Sequence, residues 1–112
     1  MFVRQYQYAI EPGYEERAAA LCVELAVLLR ERGIATRVLV GDAGDPALHI
    51  EEEHANLAAL RMAPAALERD PAYRTAIAAW AEHFYPLVRS ALPARVLHDA
   101  TPPATTKEQR AA

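Results

Sequence analysis

The stretch "IATRVLVGDAGDPALHIEEE", residues 34–53, reads as two strands and the turn between them. Residues 34–40 are rich in β-branched side chains, which favour extended backbone. "GDAGDP" at 41–46 collects turn formers, and "ALHIEEE" at 47–53 resumes the extended pattern. Two such runs on either side of a short turn make a hairpin. Upstream, Phe2 to Ile10 alternates and carries aromatic and aliphatic residues, so it predicts a first strand. "EPG" at 11–13 breaks it.

Between that strand and the hairpin, Ala18, Leu21, Cys22, Leu25, Leu28 and Leu29 recur at three- and four-residue spacing. This is the stripe of an amphipathic helix over Tyr14–Arg32, with Glu15 and Glu16 at its positive end and Gly33 at the C-cap position. Downstream, a helical segment starts near Ala55 and is expected to break at Pro64. Asp70-Pro71 supplies an N-cap and a first-turn proline for a fresh helix. Tyr73, Ile77, Trp80, Phe84 and Val88 mark its buried stripe, and Pro86 should kink or end it. After Pro93, "ARVLHDA" predicts a short last strand.

The order is β-α-β-β-α-β, the ferredoxin-like split βαβ arrangement of the α+β class. It predicts a four-stranded antiparallel sheet with the helices on one face. The rival is an irregular helical bundle in which the short strands are loops. Apolar residues on both strand parities would leave the second face costly to expose, so a second copy is expected to cover it in a two-fold homodimer.

A chain of 112 residues fits one domain, taken as residues 1–100, with 101–112 a polar, proline-containing tail expected to be mobile and dispensable for folding. A formal charge of −3 gives no basic field for phosphates, which argues against nucleic acid as a partner. Cys22 is the sole cysteine, so no internal disulfide can form. The N-terminal residues lack a secretory pattern and no apolar run is long enough for a membrane span; a cytoplasmic setting is expected.

Of the polar side chains, His49 and Glu51 share strand parity, with Glu53 continuing the row and Leu48 and Ile50 on the opposite face. A carboxylate beside an imidazole makes a proton-transfer pair; the same row suits the wet side of a strand. Tyr6 and Tyr8 lie on one face of the first strand, either as core residues or as donors to a ligand. Trp80 and His83 share a helix face, and Phe84 follows. His49 and His54 lack a third ligand at metal spacing, so no metal is expected. No nucleophile elbow, P-loop or dinucleotide motif occurs.

"YQYAIEPGYEERAAAL", "ALHIEEEHANLAAL" and "ERDPAYRTAIAAW", in that order, resemble the tyrosine-bearing first strand, the third strand and the opening of the last helix of the dimeric α+β barrel proteins. Within them the chain is similar to the NIPSNAP-like and antibiotic-biosynthesis-monooxygenase-like groups over roughly residues 2–99. The resemblance implies a homodimer holding a hydrophobic small molecule in an apolar cleft between sheet and helices, without a tightly bound cofactor. It implies a small tailoring enzyme of secondary metabolism, an oxygenase or a cyclase or isomerase acting on an aromatic or polyketide-like molecule. The alternative is a non-catalytic dimeric binding or assembly protein. On this reading His49 and Glu51 are the catalytic candidates, and Tyr6, Tyr8, Trp80, His83 and Phe84 line the substrate. The haem-degrading members' asparagine, tryptophan and helical histidine cannot be placed here, because Asn56 follows the strand and His83 is displaced along the helix.

Overall fold

In a computed structural model that describes residues 1–42, 45 and 47–101, the chain forms one four-stranded antiparallel sheet with three helices. Most of the 41–46 turn centre and the tail beyond Thr101 lie outside the described residues. The elements are β1 (Phe2–Ile10), α1 (Glu15–Arg30), β2 (Ala35–Val40), β3 (Ala47–His54), α2 (Leu57–Glu68), α3 (Pro71–Phe84), a 3₁₀ turn (Tyr85–Leu87) and β4 (Val88–His98). The strand order is β2-β3-β1-β4, the ferredoxin-like topology that the sequence predicts.

Local chemistry sets the helix ends. At the end of α1 the Gly33 N–H donates to the Arg30 carbonyl and the Ile34 N–H to the Leu29 carbonyl, both near 3 Å. This pair is a Schellman closure, which needs the positive φ of +80° that Gly33 adopts without a Cβ penalty. Asn56 and Asp70 cap α2 and α3, their side chains accepting from the Ala59 and Tyr73 N–H groups. Asp70 also receives the Arg32 Nε at 2.8 Å, which ties the end of α1 to the start of α3.

Two prolines depart from expectation. Pro64 does not break the helical segment; α2 runs through it. A proline cannot donate to the carbonyl four residues back, here that of Leu60. The Arg4 guanidinium on β1 donates to that carbonyl at 3.1 Å and so replaces the lost partner. Pro93 lies inside the last strand and not ahead of it, and β4 is eleven residues long. It sits at a register shift, where Gln5 pairs Arg95 but Gln7 pairs Leu92, on an edge strand. Edge strands and bulges are where a missing N–H costs the ladder nothing. Pro86 does end α3, which passes into the 3₁₀ turn.

The core lies between the sheet and α1 and α3. Ala18, Leu21, Cys22, Leu25 and Leu29 of α1 cluster with Tyr8, Ile10, Leu48 and Ile50. Leu28 of the expected stripe is half-buried and packs against this cluster, and Ala26 is buried as well. Phe84 is wholly buried, edge-on to Tyr8 at 5.0 Å and stacked on Trp80 at 4.5 Å. The Trp80 indole N–H donates to the Leu21 carbonyl at 2.7 Å, joining α3 to α1. Nothing in the described residues covers the other face of the sheet.

Candidate functional site

Alternation divides the predicted site residues between the two faces. Direct pairs Tyr8–Leu48, Tyr6–Ile50, Arg4–Glu52 and Phe2–His54 put all eight residues on the helix side. His49, Glu51 and Glu53 point the other way, onto the open face. The structure therefore brings Tyr6, Tyr8 and Trp80 together and sets His49 and Glu51 apart from them.

On the helix side, a cleft of about 310 Å³ opens between β1, β3 and α3. Its walls are Ile50, Leu25, Ile77, Ala78, Trp80 and Ala81, with Tyr6, Tyr8, Tyr85 and Glu52 as the polar side chains. The volume is at the lower end of small-molecule pockets. Phe84 stands behind this wall, packed between Tyr8 and Trp80. His83 is exposed and borders a separate depression of about 260 Å³ between α1 and α3, whose only residues shared with the cleft are Leu25 and Trp80.

Glu52 and His54 were missed in the sequence. Both are buried, and the His54 Nε2 lies 3.3 Å from a Glu52 oxygen. The available signal was parity: Leu48, Ile50, Glu52 and His54 form one row whose first half is apolar. Burial first, and then the Glu52 charge, push the Tyr6 phenol up to about 12. Burial and the neighbouring Tyr85 push the Tyr8 phenol up as well. Both hydroxyls therefore stay protonated and serve as donors near neutrality. Burial likewise pushes the Cys22 thiol up to about 12, which leaves it unionised and a poor nucleophile.

On the open face, Arg37, Glu51, Gln5 and Arg95 stand side by side on β2, β3, β1 and β4 and form one hydrogen-bonded row. Glu51 accepts from Gln5 Nε2 at 2.7 Å and from Arg37 at 2.6 and 2.7 Å, while Arg95 donates twice to the Gln5 carbonyl oxygen. Burial raises the Glu51 carboxyl, but the Gln5 and Arg37 hydrogen bonds and the Arg37 charge outweigh it and hold it below the ordinary carboxylate range. Exposed Leu39, Leu92 and Leu97 flank this row. Among the described residues no three side chains gather as a metal site, and no helix is long and apolar enough to cross a membrane.

No family model and no curated protein matches the chain. Solved structures do. An uncharacterised NIPSNAP domain protein from Burkholderia xenovorans superposes with a TM-score of 0.70 at 15% identity, over 93% of this chain and 100% of that one. A NIPSNAP family protein from Agrobacterium tumefaciens gives 0.65 at 19% identity, over 88% and 85%. A protein assigned as an antibiotic biosynthesis monooxygenase from Chloroflexus aurantiacus gives 0.62 at 16% identity, over 92% and 96%. The chain thus has the ferredoxin-like α+β fold of NIPSNAP and antibiotic-biosynthesis-monooxygenase-like proteins.

Proposed function

We propose that the protein binds a hydrophobic, aromatic or polyketide-like small molecule in the helix-side cleft. It converts that molecule without a tightly bound cofactor, as a small tailoring enzyme of secondary metabolism. The observation that carries this reading is the composition of the cleft: apolar walls with a few convergent polar groups, the pattern of ligand sites. Oxygenation by dioxygen, cyclisation and isomerisation all suit it, since each starts by activating an O–H or C–H in apolar surroundings. The names of the neighbouring structures favour the oxygenase. His49 and Glu51 join this chemistry if a second copy closes a space over the open face.

The working form is a homodimer, with the exposed leucines of the open face as its contact. Obligate interfaces of this kind bury about 2,000 Å² or more in total. Sedimentation should give a dimer at micromolar concentration; a stable folded species of 12.3 kDa overturns it. Calorimetric titration with 2-naphthol tests the cleft. Binding should saturate at one per chain and vanish in Ala78→Phe, which fills the cleft from an exposed helix position. Binding unaffected by Ala78→Phe moves the site elsewhere. Saturable binding of candidate substrates with no change in their mass makes this a binding protein and not an enzyme.

A further inference from the structure

We propose that Glu52, oriented by His54, is the proton-accepting group of the cleft and selects neutral molecules bearing an acidic O–H or C–H over carboxylates. The inference rests on the cleft as the binding site and adds its chemistry. Glu52 lines the cleft on the same face as Tyr6, while its neighbour Glu51 faces away. The side chain of Glu52 is 11% exposed and that of His54 5%, so the carboxylate is taken largely out of water. The His54 imidazole is the one basic side chain in direct contact with the Glu52 carboxylate among the described residues. Arg4, opposite it in the sheet, spends a donor on the Leu60 carbonyl beneath α2. One carboxylate oxygen is engaged by the imidazole and the Tyr6 hydroxyl hydrogen-bonds to the same group, which leaves the remaining lone pairs of the carboxylate as acceptors. From α3 the Tyr73 phenol is held up by burial and then by the Glu52 charge, and Tyr6 on β1 feels the same charge. The groups around Glu52 are thus two protonated phenols, one imidazole and one guanidinium, of whose donors one is spent on the Leu60 carbonyl.

A buried carboxylate of this kind disfavours a second anion beside it and favours a ligand that brings a proton to share. In the proton-transfer step, the O–H or C–H bond of the ligand breaks. Its electron pair stays on the ligand as a phenolate or enolate, and the proton goes to Glu52, which becomes a neutral carboxylic acid. The single negative charge moves from protein to ligand, where the Tyr6 hydroxyl can donate to it.

Three probes of one shape separate the possibilities: 2-naphthol, naphthalene and 2-naphthoate, titrated calorimetrically. The wild type should bind 2-naphthol at least ten-fold tighter than 2-naphthoate, and tighter than naphthalene. Glu52→Gln, which keeps size and shape, should narrow the naphthol-to-naphthoate ratio by ten-fold or more with the circular dichroism spectrum unchanged. Glu53→Gln, also on the opposite face, should leave the ratio as it is. Equal affinities for naphthol and naphthoate in the wild type, or a ratio untouched by Glu52→Gln, overturns the inference while the cleft stands. Failure of all three probes to bind overturns both.

Discussion

Glu51 and Glu52 are adjacent in the chain and have opposite fates. Glu51 is held by a glutamine and an arginine on the open face; Glu52, on the helix face, has a histidine and the Tyr6 hydroxyl. A carboxylate whose lone pairs are filled by fixed donors is a structural tie, and its pKa falls accordingly. A buried carboxylate with no guanidinium bonded to it keeps a capacity to accept a proton or a donor. The two faces of the sheet differ in the same way. The helix face is an aromatic core with a polar end, and the open face is a polar row between exposed leucines.

The contrast can be broken most sharply at Phe84. Its truncation to alanine removes the ring packed against Tyr8 and Trp80 and should cost about 3–5 kcal/mol in urea unfolding. A cost near zero would mean the helix face is not the core. Glu52→Gln should lower turnover of a cleft substrate by roughly 10²–10⁴-fold, the range for a lost general base, with the melting temperature little changed. Loss of fold with loss of rate would make Glu52 a structural group.

Glu51→Gln should do the reverse, costing about 1–2 kcal/mol of stability through its weakened charge-assisted bonds while cleft binding stays intact. A smaller effect concerns acid. Because the folded-state pKa of Glu51 is depressed, its contribution is present above the ordinary carboxylate pKa and fades as pH falls through the lowered value. Urea melts at pH 7 and about pH 3 should show a smaller loss in Glu51→Gln than in the wild type. An equal loss places the acid sensitivity elsewhere. The smallest effect is expected at His49, whose replacement by alanine should shift stability by under about 0.5 kcal/mol and leave naphthol binding unchanged. A ten-fold or greater fall in turnover would bring the open face, closed by a second copy, into the chemistry.

Much of this architecture follows from the chain alone. Alternation in 2–10 and 47–53, the stripe from Ala18 to Leu29 and the caps at Asp70 and Gly33 are local signals, and local physics produces the elements they announce. Parity also placed His49 with Glu51 and Tyr6 with Tyr8. Tertiary structure alone decided which parity faces the helices, because both carry apolar residues and only the packing of α1 and α3 selects one. It alone carried α2 through Pro64, since the Leu60 carbonyl finds its partner in Arg4, 56 residues away in sequence. Parity separates Glu52 from its neighbours in "EEE", but its place in the cleft does not follow from parity alone: a side chain's role depends on which groups surround it, and those arrive from other strands and helices.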